Sequence, residues 1–275
     1  MIRALLRLFR PRLALLNGVS TVGGYLLFPG EPENIVIWAS FGGVVFLAAG
    51  GSALNQVLER DLDRLMLRTR LRPLPQGQLT PVSATFIGVG LILVGTTLLV
   101  AVGGLAPMLL GVATLAWYLF IYTPLKRRTP LALMIGALCG ALAPVIGWCL
   151  AGGSPFDYRV VMLAGLLYLW QIPHFWLLLR RYADDYRNAG IPMFGTSEKC
   201  AGYLGVWIMA LIAASMLLPA LGIIGPQVSV WYAIIPLPLV AMAILRLETT
   251  LFSYLNIFPL LITLVLCFSK LQTVF

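Results

Sequence analysis

Nine apolar stretches recur from one end of this chain to the other, each bounded by charged residues or by glycine and proline, and most approach or match a bilayer's hydrocarbon core in length. They fall at 13–27, 35–54, 86–102, 108–121, 132–150, 160–179, 203–224, 228–245 and 252–268, of which the first and fourth are the shortest. Lipid offers a backbone amide no partner, so each stretch is expected to be helical. Only 11% of residues are charged and 60% are hydrophobic. An ordinary soluble domain carries about a quarter charged residues and is excluded. Residues 1–275 are therefore expected to form one all-α integral membrane domain, a bundle of about nine transmembrane helices.

Charge sets the orientation, because basic residues flanking spans stay on the cytoplasmic side. Arg3, Arg7, Arg10 and Arg12 precede the first stretch, and Arg60, Arg64, Arg68, Arg70 and Arg72 follow the second. Lys126, Arg127 and Arg128 follow the fourth, Arg180, Arg181, Arg187 and Lys199 the sixth, and Arg246 the eighth. Of 19 basic residues only Arg159 and Lys270 fall on the other side. The N-terminus is thus expected in the cytoplasm and, for an odd number of spans, the C-terminus outside. The +9 net charge reports this topology together with anionic lipid or substrate, and no nucleic-acid partner is expected without a soluble basic domain. The basic stub before the first stretch has no small-residue cleavage site and is not read as a signal or transit peptide. Cys139, Cys149, Cys200 and Cys267 lack CxxC spacing and are read as packing residues. Gly42, Gly43, Gly50 and Gly51 permit close helix contact, and Pro236 and Pro238 permit a kink.

Six of the ten acidic residues sit in two loops, Glu59, Asp61 and Asp63 in one and Asp184, Asp185 and Glu198 in the other. On a helix, Asn55, Glu59 and Asp63 at i, i+4 and i+8 form one polar ridge that climbs about 12 Å while drifting about 80°. Such a ridge at the membrane boundary offers oxygen ligands for Mg²⁺, which takes a few carboxylates plus phosphate oxygens. The bridging metal would convert an acidic ridge into a diphosphate site, and Arg68 and Arg72, four apart, could clamp the same anion. The competing reading is a solvated loop whose charges form i,i+4 pairs and anchor the second span. It does not explain an asparagine at the end of an apolar run.

The second loop follows the chain's only histidine, His174, which lies beside Pro173 inside the sixth stretch. There a polar group is costly unless it faces a partner or a cavity. Haem ligand, proton acceptor, substrate contact and buried structural imidazole all remain open for it. Asp184 and Asp185, just past that stretch, could hold a second metal, or simply terminate an interfacial helix. Lys126 is placed either to neutralise a leaving diphosphate or to anchor its span.

Asn55-x3-Glu59-x3-Asp63 resembles the first signature of the UbiA-type intramembrane prenyltransferase superfamily, Asn-x3-Asp-x3-Asp, with glutamate at the middle position. Further segments are similar to the branch of that superfamily that farnesylates protohaem IX. They are Arg68-Thr-Arg-Leu-Arg72-Pro-Leu74, Tyr122-Thr-Pro-Leu-Lys-Arg127, Ala143-Pro-Val-Ile-Gly-Trp148, Trp170-Gln-Ile-Pro-His-Phe175 and Asp185-Tyr-Arg-Asn-Ala-Gly-Ile-Pro-Met193, and Arg10-Pro-Arg12 before the first stretch also resembles that branch's beginning. The superfamily's second signature, Asp-x3-Asp, is absent, because Asn188 and Ala189 lie four past Asp184 and Asp185. The resemblance implies a Mg²⁺-dependent enzyme of a bacterial cytoplasmic membrane with its active site at the cytoplasmic side, taking farnesyl diphosphate and haem B to haem O. It implies Asn55, Glu59, Asp63, Asp184 and Asp185 at metal, Arg68, Arg72 and Lys126 at diphosphate, and Trp170, Gln171 and His174 at haem, with Asn55, Glu59, Asp63 and His174 catalytic. The product would feed haem-copper terminal oxidases, with a downstream haem-modifying enzyme as candidate partner. The alternatives are a prenyltransferase for an aromatic quinone precursor and a transporter, whose acids should lie within spans rather than gather at one face.

Overall fold

The structure, a computed structural model, describes residues 1–193 and 199–274, with side chains given outside 199–202 and 273–274. Glu198 lies outside the described residues, as do the side chains of Lys199 and Cys200. Among the described residues every regular element is helical: α1 (Ile2–Phe9), α2 (Pro11–Leu27), α3 (Asn34–Leu58), α4 (Arg60–Leu65), α5 (Pro81–Gly103) and α6 (Leu105–Ala116). A π-helical turn (Trp117–Tyr122) carries α6 into α7 (Thr123–Leu125). There follow α8 (Ala132–Leu150), α9 (Tyr158–Arg181), α10 (Ala183–Asn188), α11 (Lys199–Ala220), α12 (Pro226–Tyr232), α13 (Leu237–Ile244) and α14 (Glu248–Val274).

Among the described residues, eight helical segments have the length and hydropathy to cross a membrane, and the protein is an all-α integral membrane protein. The remaining apolar stretch is α2, whose 17 residues reach about 25 Å at 1.5 Å per residue, close to the hydrocarbon thickness of about 30 Å. The stretch at 228–245 is not one continuous helix. Its first half ends at Tyr232, and Pro236 and Pro238 flank the restart at Leu237, since a proline ring cannot continue the preceding turn.

Glycines set the closest crossings. A Cβ added to Gly50 in α3 would lie 2.6 Å from the Gly88 carbonyl oxygen of α5, and one on Gly43 would lie 3.2 Å from that of Gly95. At the crossing of α2 and α8, a Cβ on Gly147 would overlap the Thr21 carbonyl oxygen, and one on Gly24 that of Pro144. Backbones approach this closely only where a side chain is missing. One apolar core, with Leu166, Ile208, Leu211, Tyr232 and Phe258, joins α9 to the C-terminal helices, and a second, with Tyr25, Val44, Leu47 and Leu99, joins α2, α3 and α5. Outward residues such as Phe86, Leu93, Val206 and Met209 are large, apolar and exposed, as a lipid-facing surface requires.

The two ends of the bundle differ. At one end Lys270 Nζ donates to the Phe28 carbonyl at 2.8 Å, Phe28 packs edge-on against Trp148 at 5.2 Å, and the Arg159 guanidinium lies 5.8 Å over Trp148. The two basic residues set apart by the sequence thus lie at the same end, linked through Phe28 and Trp148. The opposite end gathers α1, α4, α10 and the remaining basic loops. There α14 starts, with Glu248 2.7 Å from Arg180, so α1 and the C-terminal part of α14 lie at opposite ends.

Candidate active site

The ridge is present, though not on one unbroken helix. The backbone bends at Glu59, yet the amide of Glu59 donates to Asn55 and that of Asp63 to Glu59, at 2.9 and 2.8 Å, so the i,i+4 relation survives the bend. All three side chains are buried, Asn55 to 3%, Glu59 to 2% and Asp63 to 3% exposure. All three line one cavity of about 890 Å³ at the ionic end.

Each ridge residue has a fixed partner. Asn55 Nδ2 donates to Thr123 Oγ1 at 3.0 Å, and Thr123 Oγ1 donates to the Tyr118 carbonyl five residues back, inside the π turn. That wide turn places Tyr118, Tyr122 and Lys126 together on the cavity wall, a use typical of π segments at functional sites. Glu59 Oε2 accepts from Lys126 Nζ at 2.5 Å, and both oxygens of Asp63 accept from Arg72 Nη1, at 2.8 and 2.7 Å. Burial pulls the Lys126 ammonium below the usual lysine range, with Glu59 opposing. Burial likewise lowers Arg72, with Asp63 opposing and Arg10 adding to the lowering.

The donor set suits a hard divalent cation. Glu59 Oε1 is buried without a hydrogen-bond partner, in a residue that lines the cavity between an asparagine and a second carboxylate. Among the described residues no three His, Cys, Asp or Glu side chains form a ready-made metal cluster. A cation here would share its shell with substrate oxygens, as Mg²⁺ commonly does.

The second acidic patch is not assembled as the sequence suggested. Asp184 points outward, its side chain 87% exposed and 3.2 Å from Arg187. Asp185 is buried, and its two oxygens accept the backbone amides of Leu67 and Arg68 at 3.0 and 2.8 Å. Adjacent residues on a helix diverge by about 100°, so the pair cannot face one metal. Asp185 instead anchors the loop that carries Arg68 and Arg72. Arg68 lies 5.5 Å over the Tyr182 ring, and its buried Nε has no hydrogen-bond partner.

The rest of the cavity is aromatic and apolar. His174 is stacked between Trp170 at 5.3 Å and Phe252 at 5.1 Å, and its buried Nδ1 has no hydrogen-bond partner. Trp170 Nε1 is engaged by the Leu255 carbonyl at 2.6 Å, and Gln171 Nε2 by the Ala137 carbonyl at 2.8 Å. All three residues line the cavity, but Trp170 and Gln171 also tie α9 to α14 and α8. Thr123, Arg10 and Phe252 are cavity or support residues that the sequence reading missed. Thr123 and Arg10 stood inside segments that carry the family resemblance but were given no role at the site, and Phe252 carried no signal at all.

A helical bundle in the membrane, with paired acids and cations at one end of an apolar chamber, defines an intramembrane enzyme for an amphipathic anionic substrate. The UbiA prenyltransferase family model matches residues 18–266, and the chain belongs to that family. The protoheme IX farnesyltransferase of Geobacter sulfurreducens is 58% identical over 273 residues, covering 97% of this chain and 99% of that protein. A protein of the same name from Nitratidesulfovibrio vulgaris is 41% identical over 78% of this chain and 75% of its own length. Among solved structures, a UbiA homolog from Archaeoglobus fulgidus bound to GPP and Mg²⁺ superposes with a TM-score of 0.73 at 15% identity, covering 97% of this chain and 99% of that one. A UbiA homolog from Aeropyrum pernix K1 gives 0.76 at 18% identity, covering 96% and 98%. These structures show the shared fold.

Proposed function

We propose that the chain transfers the farnesyl group of farnesyl diphosphate to a vinyl group of haem B, forming haem O in a bacterial cytoplasmic membrane. The observation that carries this reading is the joining, in one cavity, of an ionic floor built from Asn55, Glu59, Asp63, Lys126, Arg68 and Arg72 with an aromatic chamber around His174. The floor suits a diphosphate, and the chamber suits a polyprenyl chain beside a planar macrocycle. The relatives named protoheme IX farnesyltransferase support the same donor and acceptor.

Asn55, Glu59 and Asp63 are the residues that would hold Mg²⁺, which when bound screens the diphosphate from the carboxylates and acts as a Lewis acid on its oxygens. Lys126, Arg68 and Arg72 stabilise the charge that develops on the leaving diphosphate as the C1–O bond breaks and the electron pair stays with oxygen. The faces of Tyr118 and Tyr122, stacked 6.0 Å apart, line the cavity and stabilise the allylic cation through their π electrons. The vinyl group supplies the electron pair for the new carbon–carbon bond, and water adds to the resulting cation with loss of a proton. His174, Trp170 and Gln171 contact the macrocycle. The positive residues at the ionic end support a site at the cytoplasmic side, and the length of α2 supports a ninth crossing.

The test is direct. Purified protein in lipid nanodiscs, given haem B, farnesyl diphosphate and Mg²⁺, should yield a pigment heavier by one farnesyl group and one hydroxyl group. Chelation of the metal should abolish the product. Unchanged haem together with prenylation of an aromatic quinone precursor would overturn the acceptor assignment.

A further inference from the structure

The cavity holds more positive charge than its donor substrate can use. Lys126 and Arg72 are matched by Glu59 and Asp63, but Arg7, Arg10, Arg12 and Arg68 on the same lining meet no carboxylate within ion-pair distance among the described residues. A diphosphate accompanied by a divalent cation brings little net negative charge, so it does not balance four further arginines.

These four are not equivalent. Arg68 belongs to the loop that also presents Arg72, and so to the diphosphate. Arg7 Nη1 is committed to the Leu71 carbonyl at 2.9 Å. Arg10 and Arg12 sit instead at the junction of α1 and α2. Arg10 is half-buried and holds the left-handed backbone conformation, φ 49°, that a residue with a side chain seldom adopts. The surrounding contacts enforce it. Gln56 Nε2 at the end of α3 donates to the Leu8 and Arg7 carbonyls at 2.7 and 3.2 Å, and Leu8 is fully buried. The Arg10 charge also reaches the floor, since it is among the groups that lower Arg72. A positioned, partly desolvated guanidinium next to like charges is costly unless an anion joins it.

We infer that Arg10, with Arg12 beside it, forms a second anion site in the cavity, which takes the carboxylates of the acceptor rather than the phosphates of the donor. The inference rests on haem as acceptor, whose propionates supply that chemistry. A planar guanidinium fork matches a carboxylate in two hydrogen bonds. Held there, the propionate edge lies toward the α1–α2 junction and leaves the vinyl edge of the macrocycle for the floor.

The test compares haem B with its dimethyl ester, in which both carboxylates are blocked, by Soret titration in nanodiscs of neutral lipid and by farnesyl transfer. Wild type should bind haem B about tenfold or more tightly than the ester, the scale of a charge-assisted pair. Arg10→Gln should reduce haem B to the level of the ester, with the KM for farnesyl diphosphate changed by less than about twofold. Arg10→Lys, which keeps the charge, should restore most of the preference, and Arg12→Gln should lose part of it; these two variants guard against a folding defect in Arg10→Gln. Equal binding of haem B and ester by wild type, or a full preference retained in Arg10→Gln, overturns the inference. So does a rise in the KM for farnesyl diphosphate without a change in haem binding, which assigns Arg10 to the donor. The two readings fail separately. An Arg10-dependent preference without farnesyl transfer would sink the transferase assignment and leave the carboxylate site standing. Transfer to haem B and ester alike would do the reverse.

Discussion

Glu59 and Lys126 show how the floor is balanced. The carboxylate is buried and, among the described residues, its one ion-pair partner is Lys126, so removing either partner strands a charge, at a cost of about 3–5 kcal/mol for a fully buried pair. The Lys126 side chain keeps 23% exposure, which moves the expected loss toward the lower end. Lys126→Met should therefore lower thermal stability in detergent more than the double variant Lys126→Met with Glu59→Gln. Equal losses would mean that the pair is not coupled. Both variants should lower kcat for farnesyl transfer by about a hundredfold or more, because each removes a group facing the charge that moves. Much of this was legible in sequence, since the i,i+4 spacing of Asn55, Glu59 and Asp63 survives the bend at Glu59. The partners were not, because Thr123 and Lys126 lie 68 and 67 residues away and no local spacing reports them.

Where elements meet, backbone groups decide what the residue types left ambiguous. Asp185 looked like a metal ligand from its neighbour and its position after a span, yet it caps the amides of Leu67 and Arg68. Asp185→Asn keeps only one acceptor oxygen, so the loop bearing Arg68 and Arg72 should loosen. The KM for farnesyl diphosphate should rise about tenfold, the scale of one charged hydrogen bond. The half-saturating Mg²⁺ concentration should stay within about twofold, and amide exchange at Leu67 and Arg68 should accelerate. A shifted Mg²⁺ requirement with unchanged exchange would restore Asp185 as a ligand. The glycine crossings belong to the same level. Gly147→Val would drive a branched side chain into the Thr21 backbone, which no rotamer relieves, and overpacking there should cost about 1–3 kcal/mol or more. A melting temperature equal to wild type would show that α2 and α8 can separate without penalty. The glycine pairs in α3 and the break near Pro236 were readable, because both follow from side chains. The π turn was not, since its wider hydrogen bonding depends on what Asn55 and Thr123 do across the bundle.

The molecule as a whole is polarised by charge, and that polarity was the most legible property of the chain. Apolar length marked the stretches that form the span-length helices, and the clustering of basic residues marked one end of the bundle, because both patterns are set by the bilayer rather than by packing. The structure adds that the cavity with Glu59 and Asp63 and nearly all the arginines share one end, whereas Arg159 and Lys270, with Asp157 beside Arg159, mark the other. Such an asymmetry would bring an anionic substrate in from the arginine-rich end. It also makes a labelling prediction in a cysteine-free background. Phe156 is 88% exposed in the turn between α8 and α9, at the Arg159 end, and Gln78 is exposed in the turn before α5, at the ionic end. Phe156→Cys should react with a membrane-impermeant maleimide on intact cells, and Gln78→Cys only after lysis. The reverse pattern would put nearly every arginine outside, against the rule that orients membrane chains, and would turn the diphosphate site away from the cytoplasm. Labelling of both on intact cells would mean that the chain does not hold one orientation, and the shared ionic floor would then face both sides.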